Sequence, residues 1–181
     1  MRRLLFLSII FGFAIMPLVA QTDEPPFAST ISEKVSTAEV AWTWKEGVYD
    51  RKDGPHTVFL LLNTGGAVDP RLSANFRELV KSWLGKHTAA EAFVVGTIPG
   101  VSSHRGWTFK PVLVADRDDV LNIYLVRQGA CPYHFMVPSQ NSEWGVPLTS
   151  AQIRTLQKRL AEAELQARKE KLGIWAEPDA K

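Results

Sequence analysis

The most closely spaced carboxylates of the chain are Asp116, Asp118 and Asp119, which lie in one short run. Such a run can attract a divalent cation, because hard cations take several oxygen ligands. The run also directly precedes an apolar segment, and acidic residues at such a place are typical of a solvated turn followed by a helix cap. We therefore interpret it as a turn and cap, and we predict no metal site in this chain.

Cys131 is the single cysteine, and the histidines at positions 56, 87, 104 and 134 are scattered along the chain. A zinc site needs closely spaced sets of such ligands, so we predict none. A lone thiol either pairs between two chains or is buried as a small apolar residue. We favour burial.

One basic loop could hold a phosphate. A Gly/Ser loop at residues 100–106 carries His104 and Arg105, and we interpret it as a solvent-exposed loop. The last predicted helix carries several cations interleaved with glutamates, a pattern typical of a solvated face with intrahelical ion pairs. These cations are Arg154, Lys158, Arg159, Arg168, Lys169 and Lys171.

The first twenty residues have the features of a secretory signal peptide. Arg2 and Arg3 precede an apolar run that ends at Ala20, after which we predict cleavage. The alternative is an uncleaved membrane anchor, although the run barely reaches the length needed to span a bilayer. Cleavage changes the net charge from +2 to zero, with 19 basic and 19 acidic residues, which excludes a broad cationic surface. We predict an exported protein, periplasmic or extracellular, with no membrane attachment after cleavage.

The mature chain begins with a polar, proline-containing stretch, residues 21–34, which predicts a flexible leader. Val40, Trp42 and Trp44 then alternate with other residues as in a half-buried strand. The Asp53-Gly54 dipeptide and the apolar residues 56–63 complete a predicted antiparallel hairpin.

A helix is predicted from Asp69-Pro70, an N-cap followed by a first-turn proline, to a stop at Gly85. Its apolar positions are Leu72, Phe76, Leu79, Val80 and Trp83. Two strands follow, at residues 91–98 and 107–115, and Pro111 suits an edge or a bulge better than a central strand. Residues 120–128 predict a short buried helix that ends at Gly129.

The last helix has the clearest signals. Thr149 and Gln152 form a capping box, and Leu148 with Ile153 forms a hydrophobic staple. We expect the helix to end at Gly173 in a Schellman cap. Its apolar stripe is Ile153, Leu156, Leu160, Ala163 and Ala167. The order of elements predicts an α+β fold, mainly β, with a small antiparallel barrel and helices packed outside it.

Two stretches resemble the thermonuclease-like family, the relatives of staphylococcal nuclease. They are residues 122–130 (NIYLVRQGA) and residues 162–177, with their Ala/Glu/Lys helix and Gly-Ile-Trp ending. Residues 59–64 and 69–80 resemble the family's first active-site strand and first helix. The resemblance implies a five-stranded OB-fold antiparallel barrel with about three helices, over residues 35–177, followed by a C-terminal tail at 178–181.

The family hydrolyses phosphodiester bonds of DNA and RNA with a calcium ion held by aspartates, a glutamate that supports the attacking water, and two arginines that neutralise the phosphate. In this sequence the first metal aspartate aligns with Asn63, and the loop that should carry the other acids and the first arginine has shrunk to Thr64-Gly65-Gly66-Ala67-Val68. The second arginine aligns near Thr108, and Arg105 lies three positions away. The resemblance therefore implies a degenerate nuclease site.

We accordingly expect a binding or scaffold module, with no cofactor, for a protein, a peptide or a nucleic acid. The alternative is a divergent secreted calcium-dependent nuclease that uses Asn63 and Arg105. A third possibility is nucleic-acid binding without cleavage, in which Tyr133 and Phe135 stack on bases beside Arg105. For both rings we favour a place in the core. The partner and the oligomeric state stay open.

Overall fold

The computed structural model describes residues 31–42, 57–61, 75–99, 106–133 and 148–176. In this part of the chain three α-helices accompany one curled mixed sheet. The strands are β1 (Lys34–Val35), β2 (Val40–Ala41), β3 (Thr57–Leu61), β4 (Glu91–Val94), β5 (Ile98–Pro99), β6 (Thr108–Asp116) and β7 (Asp119–Val120). The helices are α1 (Phe76–Lys86), α2 (Leu121–Arg127) and α3 (Ser150–Lys169). The predicted α+β class with three helices is confirmed.

Strand β6 is the centre of the sheet. The sheet order is β1-β4-β6-β3-β2, and β5 and β7 also pair with β6. Residues Val112–Ala115 of this strand are at most 2% exposed. A strand covered on both faces needs a continuous apolar run rather than an alternating one, and the sequence of β6 provides it.

The prediction of an all-antiparallel barrel is wrong. Strand β4 runs antiparallel to β6, but β3 runs parallel to both β6 and β2. The predicted hairpin is wrong for the same reason, because Val40 lies opposite Phe59 and Ala41 opposite Leu60 in parallel register. Parallel neighbours need a longer connection than a tight turn. Alternating apolar residues specify the face that a strand buries, but they do not specify the direction in which the strand runs. Trp44 and Asp53-Gly54 of the predicted hairpin lie outside the described residues.

Pro111 lies in the central strand at a bulge, one of the two places predicted for it. Val94 faces Val112 and Ile98 faces Phe109, so residues 95–97 oppose only two residues of β6. The extra residue is typical of a β-bulge. The Pro111 carbonyl still accepts a hydrogen bond from the Val95 N–H at 2.8 Å. The proline therefore sits where β4 gives way to β5 as the partner of β6.

Helix α1 buries the predicted face, with Phe76, Val80 and Trp83 each at most 4% exposed. Its predicted stop is wrong by a short distance, because Gly85 lies inside the helix, which ends at Lys86. The His87 N–H closes the helix on the carbonyls of Trp83 and Leu84. The predicted start at Asp69-Pro70, like Leu72, lies outside the described residues.

Helix α3 begins as predicted. The Thr149 hydroxyl accepts from the Gln152 N–H at 3.2 Å, and the Gln152 side chain accepts from the Thr149 N–H at 2.8 Å. Leu148 and Ile153 are both buried, in agreement with the staple. The predicted apolar stripe is buried along its whole length. These local signals therefore fix both the start of α3 and the face that it packs.

Both α2 and α3 end in Schellman turns. Gly129 is the left-handed residue after α2, with φ of 65°, and the Ala130 N–H donates to the Leu125 carbonyl at 2.9 Å. After α3 the left-handed residue is Lys171, with φ of 54°, and the Leu172 N–H donates to the Ala167 carbonyl at 2.9 Å. The prediction that Gly173 caps α3 is therefore wrong.

Gly173 instead allows the segment after α3 to approach the segment after α2 closely. The Ile174 N–H donates to the Gly129 carbonyl at 2.9 Å. A Cβ atom on Gly173 would lie 2.1 Å from the Gly129 carbonyl oxygen, and a Cβ on Gly129 would lie 2.1 Å from the Leu172 carbonyl oxygen. Only glycine fits at either position, so the two helix ends are joined through bare backbone.

The main core lies between the sheet and the three helices, with Phe93, Leu113, Leu121 and Leu160 at its centre. Asn122 is fully buried there, and its Oδ1 accepts from the Val114 N–H at 3.1 Å, which ties α2 to β6. Ile31 is also buried, and Lys34 begins β1, so the described structure starts inside the stretch predicted as a leader. Within the described ranges, no helix has the length and apolar character to cross a bilayer.

Candidate functional site

The structure describes two of the predicted site residues, Thr108 and Tyr133. Asn63, Arg105 and Phe135 lie outside the described residues. The use of Asn63 and Arg105 by a divergent nuclease therefore stays a prediction.

Thr108 is the first residue of β6. It lies opposite Thr57 of β3 and Pro99 of β5, and it is half-buried. The next residue, Phe109, is buried against Ala41, Val58 and Leu60 in a small second core. Thr108 thus occupies the end of a packed strand and carries a neutral hydroxyl where the resemblance implies an arginine.

The nearest described cation on the same strand, Lys110, is already paired. Its ammonium donates to Glu33 Oε1 and lies 5.9 Å from the centre of the Phe59 ring. Lys34 on β1 is likewise paired, with Glu91 at 2.8 Å. Neither lysine therefore supplies an uncompensated charge in place of the implied arginine.

Tyr133 belongs to the junction between α2 and α3. Its ring is half-buried against the main core, and its N–H donates to Glu164 Oε2 at 2.7 Å. Glu164 is 8% exposed and also receives a two-pronged contact from Arg168, with Nε and Nη2 both 2.8 Å from Oε1. The Arg168 guanidinium in turn lies 3.6 Å from the centre of the Trp175 ring. This packing agrees with a core role for Tyr133.

Cys131 is fully buried in the same region, as predicted. Burial, reinforced by the negative charge of Glu164, raises the pKa of its thiol to about 12. The neutral thiol is a poor nucleophile and a poor partner in disulfide exchange. Cys131 is therefore a packing residue, and a bridge between two chains would require the fold to open.

The acidic run forms the predicted turn but not the predicted cap. Arg117 and Asp118 make the turn between β6 and β7, with Arg117 at φ of 55°. The residue at the N-cap of α2 is Val120, and no side chain caps that helix. The cap prediction fails because β7 intervenes between the aspartates and the helix. In the described part of the chain, no group of three or more His, Cys, Asp or Glu residues could hold a metal ion.

A cavity of about 220 Å³ lies between the three helices. We call it the three-helix cavity and define it by Trp83, Lys86, His87, Tyr124, Arg127 and Arg159. It brings together cations from the end of α1, the end of α2 and the middle of α3. Asp119 is the one carboxylate among its described lining residues.

Three contacts hold the polar lining of the three-helix cavity in place. His87 stacks on Trp83 with ring centres 4.1 Å apart, and its Nδ1 lies 3.3 Å from Asp116 Oδ2. Arg159 Nη2 donates to the Asp118 carbonyl at 3.0 Å. The turn at Asp116–Asp118 therefore positions two of the residues that line the cavity.

This cavity has no signal in the sequence. Lys86, Arg127 and Arg159 are far apart along the chain, and each lies on a different helix. Taken singly, a basic residue in the last turn of a helix is typical of favourable interaction with the helix dipole. Only the packing of the three helices reveals that the cations converge.

A scan against protein-family models finds no match to this chain, and a search of curated proteins finds no relative.

Proposed function

We propose that this chain is an exported binding module with a thermonuclease-like fold that has lost the nuclease machinery. The observation that carries the proposal is the place of Thr108, an uncharged residue at the packed start of β6. The resemblance implies an arginine near this position, where it would stabilise the charge that develops on the transferring phosphoryl group. The short sequence from Asn63 to Asp69, which leaves no room for the acidic loop, supports the same conclusion.

The sheet supports a five-stranded OB barrel as the finer fold. Strand directions cannot alternate all the way round a closed ring with an odd number of strands, so such a barrel needs at least one parallel pair. The parallel pairing of β3 with β6, beside the antiparallel pairing of β4 with β6, is compatible with that requirement. Helix α1 follows β3 and precedes β4 along the chain, an order that is compatible with the proposed fold.

The class of partner follows less directly from the site. A protein, a peptide or a nucleic acid would each suit a binding module. The half-buried packing of Tyr133 argues against its use as a stacking platform for bases. Affinity for single-stranded DNA that falls steeply with added salt would identify a nucleic acid as the partner.

The proposal is tested by a nuclease assay on the purified mature protein, residues 21–181. We expect no hydrolysis of DNA or RNA, either with calcium or with a chelator. Calcium-dependent cleavage that a chelator abolishes would contradict the proposal and favour the divergent nuclease.

In that event, Asn63→Ala and Arg105→Ala should each remove most of the activity. Arg154→Ala, which removes an exposed cation from α3, is the matched control and should keep it.

A further inference from the structure

We propose that the three-helix cavity is a binding site for a phosphate group, either free phosphate or a small phosphomonoester. The inference is independent of the proposed loss of nuclease chemistry, because none of the cavity residues belongs to the predicted nuclease site.

The cations approach the cavity from separate directions. Lys86 ends α1, Arg127 ends α2, and Arg159 comes from the middle of α3. A tetrahedral oxyanion accepts hydrogen bonds from many directions, whereas a carboxylate accepts them close to one plane. Donors that converge from three helices therefore suit phosphate better than a carboxylate.

The charge of the lining is not cancelled within the described part of the protein. No ion pair joins Lys86 or Arg127 to a carboxylate there, and the partner of Arg159 is a neutral backbone carbonyl. Against the three cations stand Asp119 in the lining and Asp116, which contacts His87. The cavity therefore keeps a positive excess, which suits an anion such as phosphate.

The geometry of His87 adds a further polar contact. With Nδ1 beside Asp116 and the ring stacked on Trp83, the imidazole cannot turn freely. Such a pairing fixes the orientation of the ring and leaves Nε2, an acceptor in the neutral ring and a donor in the charged ring, for another partner. The cavity volume of about 220 Å³ holds a phosphate group with several waters, since one water takes roughly 30 Å³ in the liquid.

The helix dipoles affect how tightly the cavity is expected to bind phosphate. Lys86 and Arg127 lie at helix C-termini, where the negative end of the dipole holds them in place but offsets part of their charge. Both side chains are also exposed, so water and salt screen them. We therefore expect a modest affinity that depends on all the cations together.

The test is calorimetric titration of the purified protein with sodium phosphate at constant ionic strength. Arg127→Gln and Arg159→Gln should each weaken phosphate binding about tenfold, the effect of removing one charged hydrogen bond. Arg154→Gln, which removes a cation from α3 outside the cavity, should leave binding unchanged. Because Arg159 also contacts Asp118, Arg127→Lys serves as a second variant that keeps the charge and should bind more tightly than Arg127→Gln.

Two parallel titrations identify the source of the phosphate. Glycerol phosphate that binds as tightly as inorganic phosphate would indicate a phosphomonoester ligand, whereas binding of the inorganic ion alone would indicate free phosphate. Acetate should bind more weakly than either. Absence of measurable phosphate binding, an equal loss in Arg154→Gln, or equal affinity for acetate would overturn the proposal.

Discussion

At the scale of single residues, the region around Glu164 shows how one buried carboxylate can serve several neighbours. It accepts the Tyr133 N–H and pairs with Arg168, whose guanidinium covers Trp175. The negative charge of Glu164 also adds to the effect of burial in raising the pKa of Cys131, which keeps the thiol protonated. A residue that the sequence presents as one of many helix glutamates thus organises the junction between α2 and α3.

Cys131 should be almost inert in the folded protein. A rise of the pKa from 9.0 to about 12 favours the neutral thiol, because burial disfavours the charged form. At pH 8 that shift alone lowers the thiolate fraction about a thousandfold relative to the unfolded chain. We expect a thiol reagent such as Ellman's to label Cys131 only after unfolding in guanidinium chloride.

A time course of labelling in native and denaturing buffer measures this difference. Rapid labelling of the native protein, or a disulfide-linked dimer under mild oxidation, would contradict the packing role of the thiol.

At the scale of elements, the helix starts and helix ends differ in how they are specified. The capping box of α3 is local, since Thr149 and Gln152 satisfy each other. The ends of α2 and α3 depend on each other, because the turns that close them meet at Gly129 and Gly173. A local sequence motif therefore predicts where α3 starts. The contact between the ends of α2 and α3 is explained only by the folded chain.

Gly173→Ala and Gly129→Ala should each destabilise the protein strongly. Each new Cβ would lie 2.1 Å from a carbonyl oxygen of the opposing segment, and each position has a positive φ. Left-handed backbone and steric overlap together should cost about 3 kcal/mol or more of unfolding free energy. Denaturant unfolding followed by circular dichroism measures the loss.

Gly85→Ala is the matched control for these two substitutions. No atom lies within 4 Å of a Cβ placed there, and the residue is inside α1. Alanine should raise stability slightly, by up to about 1 kcal/mol, because it is the better helix former. Equal free energies of unfolding for the three variants would show that the close approach of the two turns does not affect stability.

At the scale of the whole molecule, the sequence predicted the helices better than the sheet. The buried faces of α1 and α3 follow from spacing along one element, so Phe76, Val80, Leu156 and Leu160 were identifiable. Strand direction depends on connections between elements, and the parallel pairing of β3 with β2 and β6 had no local signal. The three-helix cavity escaped prediction for the same reason.

The C-terminal boundary of the domain can be tested by deletion. Removing the tail, residues 178–181, should leave the denaturation midpoint unchanged if the domain ends at 177 as predicted. Removing residues 173–181 deletes Gly173 and the Ile174 N–H that donates to Gly129, although α3 stays complete. We expect this second deletion to lower the midpoint clearly.

Thermal and denaturant unfolding of the two truncated chains provide the measurement. The boundary is wrong if the shorter deletion destabilises as much as the longer one, and the contact between the helix ends is unimportant if neither has an effect.

The backbone contact between Gly129 and Gly173 also determines when folding can finish. Synthesis proceeds from the N-terminus, and Gly173 follows the whole of α3 along the chain. The junction that joins the ends of α2 and α3 therefore stays open until all of α3 has been synthesised. For the exported protein that we propose, this late closure would keep the growing chain easier to unfold, and therefore easier to thread through a membrane channel before its final structure forms outside.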